Sequence, residues 1–443
     1  MESSLIYFKI IGIMSSSQGK HLDRYELKPE EMMMNKKLSI TLAAVISAMI
    51  SGTAMASPSA IGGNFDTQDF YKPFTTQDIT PENMQRWPYY KHVSANWDDY
   101  VQTSSASFTA ATNPAKLYTQ ENGFDLNGEF ANGKSYLQSL VDTQTKAFVV
   151  LKDNKVLAEF YDNGFNVDQT NLLQSASKSF AGVIIHQLVD QGKLDLNTLV
   201  ANILPDFAGT VIGKATVQQV LDMTSGAATL LDFHTKGKPG YEWEVEIGLK
   251  QGKGIGHRES IKAARKAAEA GTAWNYTDKN TDALALIAEQ VSGQSFQQLM
   301  QNLVNEYGGN SAGSIALASD GKASPSYGIS LTVRDYALFH QWIAQGNAPK
   351  SYYASVTDAN KKLIQDNEVA ATLFDGVTYG SQTYYVAKDN LLYSSGSFGQ
   401  IGFSDLESGI SVVTFQDWAV NAEPEKFLES RERMTSIIKM LRK

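Results

Sequence analysis

The sequence predicts an α+β fold: an antiparallel sheet flanked by helices, with a mainly helical second lobe. Three features carry this. A hairpin pattern of strand-forming residues occupies 147–161, and four further strand-type runs lie far downstream between 383 and 415. Between them, residues 193–325 are punctuated in the manner of short helices. Strands at both ends of a helical stretch imply one sheet assembled from distant segments, with the helices gathered apart from it. The 443 residues are 42% apolar and 19% charged, a balance that excludes disorder along the whole chain.

The N-terminus is read as an export signal. Met34-Asn35-Lys36-Lys37 is basic, Leu38 to Ile50 is an apolar run, and Ala54-Met55-Ala56 supplies the small-x-small pattern that signal peptidase cuts, leaving Ser57 first. A membrane span needs about 17–25 apolar residues, and this run is shorter. Residues 1–33 carry Asp, Glu and Pro ahead of the signal, so translation is expected to begin at Met32, Met33 or Met34, with 1–33 a start-site misassignment. The mature protein is expected to be periplasmic or secreted. No later run of 18 apolar residues exists, so no membrane span is expected in it.

Residues 57–140 are rich in aromatic, Asn, Thr and Ser residues without clear periodicity, and read as an N-terminal arm wrapping the core. Residues 141–192 and 326–443 then form the α/β lobe with the sheet, and 193–325 the helical lobe. Ala147 to Leu151 and Lys155 to Tyr161 are the strands of the hairpin, joined by a polar turn. A helix is predicted from Ser177 to Gln191, with Phe180, Val183, Ile184 and Leu188 on one face and Gly192 as its stop. Thr216, Thr281 and Ser295 are placed to cap helices ending near Met223, Val291 and Tyr307, and Thr332 to begin one through Gln345. Thr235 to Gly256 shows no period and reads as a long surface loop. Strands are predicted at 383–386, 391–395, 400–404 and 410–415, and an amphipathic helix from Glu423 to Leu441.

Composition narrows the chemistry. With no cysteine, thiol nucleophiles, disulfides, zinc–thiolate and iron–sulfur sites all drop out. A net charge of −9 argues against a nucleic-acid partner. His92, His186, His234, His257 and His340 show no metal-ligand spacing, and neither G-x-S-x-G, G-x-G-x-x-G nor a P-loop occurs. No metal or organic cofactor is therefore expected.

What remains is Ser175-Ala176-Ser177-Lys178, one of four S-x-x-K matches in the chain and the one that stands at the start of a strongly apolar helix. A Ser there sits where backbone N–H groups lack helical partners and favour negative charge. A Lys three residues on shares its face and can reach the hydroxyl. If burial lowers its pKa, its neutral amine can take the Ser proton. By itself the motif reads more readily as a helix-capping Ser beside a surface Lys.

The flanking sequence changes that. Leu173 to Phe180, Asp190-Gln191-Gly192-Lys193-Leu194-Asp195, Leu204-Pro205-Asp206-Phe207 and Val217 to Gly226 resemble, in order, the serine β-lactamase and penicillin-recognising superfamily. Within it they are most similar to the class C-like branch that includes 6-aminohexanoate-dimer (nylon oligomer) hydrolase. The resemblance implies a β-lactamase/transpeptidase-like architecture with Ser175 as nucleophile and Lys178 as its base. Tyr276-Thr277-Asp278 matches the family's second motif, a Tyr followed two residues later by Asn or another small polar residue, which implies Tyr276 as proton relay and Asp278, together with Gly396, Ser397 and Gly399, as an oxyanion- or substrate-binding residue. The third motif is not Lys-Thr-Gly. Gly396-Ser397-Phe398-Gly399-Gln400 resembles the Gly-x-x-Gly-Gln segment of the oligomer-hydrolase branch, implying that the Ser397 N–H is a second oxyanion donor between Gly396 and Gly399. Gly396 and Gly399 also read simply as turn residues before a strand. Phe398 stands where relatives place a basic residue or His, which disfavours a β-lactam carboxylate and would favour an apolar substrate group.

The expected activity is therefore hydrolysis of a small-molecule amide or ester through an acyl-enzyme. A β-lactamase or D-Ala carboxypeptidase is the alternative within the family, and a catalytically silent ligand- or cell-wall-binding protein the alternative outside it. Oligomeric state has no signature in the sequence.

Overall fold

The computed structural model describes residues 75–442 apart from 87, 163 and 359–375. The predicted export signal and residues 1–33 lie outside the described residues. The fold is the expected one, mixed α/β with antiparallel sheet flanked by helices. Among the described residues are fourteen strands: β1 (Ser104–Phe108), β2 (Tyr118–Thr119), β3 (Glu129–Ala131), β4 (Lys134–Ser135), β5 (Thr145–Lys152), β6 (Lys155–Tyr161), β7 (Thr170–Leu172), β8 (Gly313–Leu317), β9 (Ile329–Thr332), β10 (Val377–Gly380), β11 (Thr383–Val386), β12 (Leu391–Gly396), β13 (Gln400–Asp405) and β14 (Ser411–Gln416). Eight form the main sheet in the order β10-β11-β12-β13-β14-β5-β6-β2, antiparallel except for the β2–β6 edge.

The β5–β6 hairpin follows from its sequence. Asp153 and Asn154 both take positive φ (51° and 60°), the backbone that a two-residue turn matched to strand twist requires. β14 then pairs with β5, Val412 against Val150 and Val413 against Val149, which joins segments more than 250 residues apart. The unbroken apolar run of β5 reflects burial on both faces. Ala147, Val149 and Leu151 enter one core with Phe180, Phe339 and Phe415, while Phe148 and Val150 enter a second with Tyr136, Phe403, Met434 and Ile437.

Four helices matter most: α1 (Lys178–Asp190), α2 (Asp278–Ser292), α3 (Val333–Ala344) and α4 (Pro424–Leu441). Helix α1 is buried along nearly its whole length, not on one face alone. Thr216, Ser295 and Thr332 cap their helices as expected, each hydroxyl accepting a backbone N–H three residues on. No helix among the described residues is long and apolar enough to cross a membrane.

Three sequence expectations are corrected. Helix α2 starts at Asp278, with Thr277 as its cap residue in extended backbone, while the proposed cap Thr281 lies inside and donates its hydroxyl to Gln382 Oε1 at 2.6 Å. The 235–256 segment is not a surface loop: Pro239–Glu246 is a helix begun by Pro in its first turn, and Trp243, Glu246 and Leu249 are buried. A second, four-stranded sheet of order β1-β8-β9-β7 also exists, with β8 falling inside the stretch read as helical. β1, from the N-terminal arm, is an edge strand of this sheet, and β7 at its other edge leads into the Ser175 turn.

Candidate active site

Ser175 is presented by a turn held under strain. Leu173 N–H donates to Ile329 O (2.8 Å), which extends the β7–β9 pairing to the edge of the turn. Gln174 then takes φ 52°, a left-handed backbone that costs a non-glycine residue of order 1 kcal/mol and persists only when its surroundings impose it. They do so here: Gln174 Nε2 donates to Tyr90 Oη (2.9 Å), and Tyr90 is stacked on Phe398 with ring centroids 3.8 Å apart. A 3-10 turn, Gln174–Ser177, runs directly into α1. Within 171–180 Ser175 alone is partly exposed. The other hydroxyl in the motif, Ser177, is buried and occupied, donating to Tyr327 O (2.9 Å) and accepting from Ile329 N–H (3.1 Å).

Lys178 is buried one turn below, and all three of its donors are used. Nζ donates to Ser175 Oγ (3.1 Å), Asp278 Oδ1 (2.7 Å) and Ser326 O (2.5 Å). Burial alone would lower its pKa, but the Asp278 carboxylate and the Tyr276 hydroxyl beside it prevail and hold the ammonium above its ordinary value. The expectation that Lys178 is a neutral amine is thereby corrected. Burial and dipoles alone favour the neutral amine; the small polar residue of the second motif, Asp278, acts in the fold as a counter-ion.

Tyr276 and Asp278 arrive together at the start of α2. The Tyr276 ring centroid lies 4.9 Å from Lys178 Nζ, and the ring packs near Trp274 and Tyr379. The segment Val217 to Gly226 fixes this loop: Asn275 N–H donates to Met223 O (2.8 Å), Gly271 N–H to Thr224 O (2.7 Å), and Ser225 Oγ to Asn280 Oδ1 (2.7 Å).

The Gly396–Gln400 segment closes the third side. A Cβ on Gly396 would lie 2.2 Å from Leu173 O and 3.1 Å from Ala176 N, so this strand end lies directly against the Ser175 turn, with Ser397 the next residue. Phe398 and Gly399 both have positive φ (63° and 90°), which makes Gly399 a turn residue packed on Gln416 and Trp418. Gln400 is buried and props the turn, donating to Gln416 O (2.8 Å) and Phe398 O (3.2 Å) while accepting from Asn171 Nδ2 (2.9 Å). Phe398 is 5% exposed beneath Tyr90, so the expectation that it receives an apolar substrate group is corrected; it supports the turns instead.

Ser175, Lys178, Tyr276 and Asp278 thus converge, with Gly396 and Ser397 at their edge. Sequence reasoning missed Gln174, Tyr90 and the Ser326 carbonyl. The first two carry no motif, and a backbone acceptor has no side-chain signature. Among the described residues no group of three or more His, Asp or Glu could hold a metal ion.

Residues 135–431 match the Beta-lactamase family. The chain is 25% identical over 351 residues to the 6-aminohexanoate-dimer hydrolase of Paenarthrobacter ureafaciens, covering 76% of this chain and 88% of that protein. Among solved structures it is similar to a Bacillus anthracis protein provisionally described as a 6-aminohexanoate-dimer hydrolase (TM-score 0.73, 19% identity, 83% of this chain and 98% of the other). It is also similar to EstCE1, a hydrolase with promiscuous acyltransferase activity (TM-score 0.54, 16% identity, 67% and 96%).

Proposed function

The chain belongs to the Beta-lactamase family, and on that premise we propose that it is an exported serine hydrolase cleaving small-molecule amide or ester bonds through an acyl-enzyme on Ser175. One observation carries the reading: a partly exposed Ser hydroxyl, a buried ammonium and a Tyr ring meet in one cluster, with Nζ bonded to Oγ.

In this reading Ser175 Oγ attacks the substrate carbonyl carbon. Because Asp278 favours the ammonium form of Lys178, Lys178 does not take the proton in this reading; the base is Tyr276 as a phenolate paired with that ammonium, which accepts the proton leaving Ser175 and becomes the phenol. The negative charge on the carbonyl oxygen is held by the Ser175 N–H and, as the family resemblance implies, the Ser397 N–H. Collapse of the tetrahedral adduct breaks the bond to the leaving alkoxide or amine, which takes the proton from Tyr276. Water then adds to the acyl group by the reverse path, giving the acid and restoring the Ser175 hydroxyl.

Intact-mass measurement after a fluorophosphonate probe tests this directly. One adduct is expected on the parent protein and none on a folded Ser175→Ala variant. Labelling that persists in the variant, or that maps to Ser177, overturns the assignment. Export is tested separately: the mature N-terminus recovered from the native host should be Ser57 or close to it, and a protein retaining residues 1–33 rules that part out.

A further inference from the structure

We propose that His257 and Asp282 are positioning residues for Lys178, acting through Ser326: they fix the backbone carbonyl that accepts the third proton of the ammonium. The proposal rests on the serine-hydrolase reading above and concerns a buried pair which that mechanism does not otherwise use.

Helix α2 carries two carboxylates one turn apart. Asp278 binds Lys178 Nζ directly. Asp282 works on the residue behind it: Oδ1 accepts the Ser326 N–H (2.9 Å), and Oδ2 accepts the Ser324 hydroxyl (2.7 Å) and His257 Nε2–H (2.9 Å). Asp282, His257, Ser324 and Ser326 are all fully buried. The opposite side of this turn is held by Ser177, whose hydroxyl takes the Tyr327 carbonyl and the Ile329 N–H. Ser326 O is therefore clamped between α2 and the Ser175 turn, 2.5 Å from Nζ.

The geometry favours positioning over bulk stability. A buried ion pair is weak evidence for stability, since well-packed apolar residues often do as well. Three hydrogen bonds on one carboxylate, two of them to the turn that carries the Lys178 acceptor, instead fix particular atoms. The imidazole is set up to serve as donor: burial would lower its pKa, but Asp282 and Asp320 raise it to about 9, so both ring nitrogens carry protons near neutral pH. If Ser326 O slipped, the buried ammonium would lose an acceptor and turn away from Ser175. Misplacements of about 1 Å can cost on the order of a hundredfold in rate.

The test measures kcat and KM for a p-nitrophenyl ester in the full chain, normalised to sites titrated by the fluorophosphonate, with thermal melts alongside. His257→Leu and Asp282→Asn should lower kcat per titrated site by roughly tenfold or more, with KM changed less than about twofold. His257→Gln keeps an N–H near the Nε2 position and should recover most of the loss. A purely structural pair would lower the melting temperature but leave kcat per titrated site at the parent value, and that result overturns the proposal. So does a Gln variant as impaired as the Leu variant. Should the Leu and Asn variants fail to fold, Ser324→Ala decides, because it removes one bond to Asp282 and little volume: reduced kcat supports the proposal, and parent kcat overturns it. A parent protein that takes no label at Ser175 would instead remove the serine-hydrolase reading.

Discussion

The Asp278 carboxylate lies 2.7 Å from the Lys178 ammonium, with the Lys side chain 1% exposed and the Asp side chain 22%. Partial hydration of the carboxylate reduces its own burial cost, while the ammonium donates to it, to Ser175 and to Ser326. A full charge at the second position after Tyr276, where an amide would serve as a neutral acceptor, favours Lys178 as a cation, and in the proposed mechanism proton transfer then falls to Tyr276.

Asp278→Asn should therefore move the alkaline limb of the kcat/KM profile. Removing the carboxylate removes a cause that raises the Lys178 pKa, so the ammonium is lost at lower pH and the limb shifts acidward. An opposite charge at this distance is worth about one to three pH units. A pH–rate series on an ester substrate checks this, and an unmoved limb would mean that Asp278 does not control the charge of Lys178.

Gly396→Ala probes the packing of the third segment. Its Cβ would be 2.2 Å from Leu173 O, a backbone atom next to the strained Gln174, so the Ser175 turn must shift. Overpacking of this kind costs roughly 1–3 kcal/mol. Displacement of Ser175, the proposed nucleophile, should also lower kcat/KM by about a hundredfold. Melting curves and ester kinetics read both, and parent-like kinetics would separate Gly396 from the positioning of Ser175.

Stability at alkaline pH should carry the mark of His257. Its folded pKa, about 9, lies above the ordinary 6.5, with the Asp282 and Asp320 carboxylates and the Trp243 ring around it. A raised histidine contributes stability that is complete below about pH 6.5 and is lost as pH rises through about 9. The size is on the order of 3 kcal/mol. Denaturant unfolding at pH 6 to 10 should show this decline in the parent and a flatter profile in His257→Gln; equal slopes would mean that the imidazole is not charged in the folded state.

Much of this was legible in the chain, for reasons that also explain what was not. The β5–β6 hairpin, β11 to β14 and the caps at Thr216, Ser295 and Thr332 are local events, decided by turn residues and hydroxyls within three positions. The second sheet is not local. Ser104–Phe108 and Thr170–Leu172 are short and polar, and become strands only because β8 and β9 lie beside them. The Pro239–Glu246 helix escaped because it lacks an apolar stripe: its buried residues include Glu246 as well as Trp243. In the site, Ser175, Lys178 and Tyr276 were visible as side chains in ordered motifs. The charge of Lys178 was not, since it depends on which side of Asp278 the fold presents, and neither was the Ser326 carbonyl.

The Gly396–Gln400 segment contains no charged residue. The structure removes its two largest side chains from consideration, because Phe398 is stacked beneath Tyr90 and Gln400 is spent on Gln416 and Asn171. A β-lactam brings a carboxylate, and a hydrogen bond from that group to a cationic side chain is worth about 1.5–3 kcal/mol. Its absence corresponds to roughly tenfold to a hundredfold in acylation. Short-chain p-nitrophenyl esters should therefore be hydrolysed at least about tenfold faster, as kcat/KM, than nitrocefin or benzylpenicillin. Linear amides should be intermediate or slow, because an amine must be protonated by Tyr276 before it leaves, whereas a phenoxide need not be. The comparison is made side by side on purified protein with all three substrate classes. Nitrocefin turnover equal to the ester rate would mean that a cation from outside the segment meets the carboxylate. Lys236 and Lys238, both exposed ahead of the Pro239 helix, would be the first to replace, and the β-lactamase alternative would then be preferred.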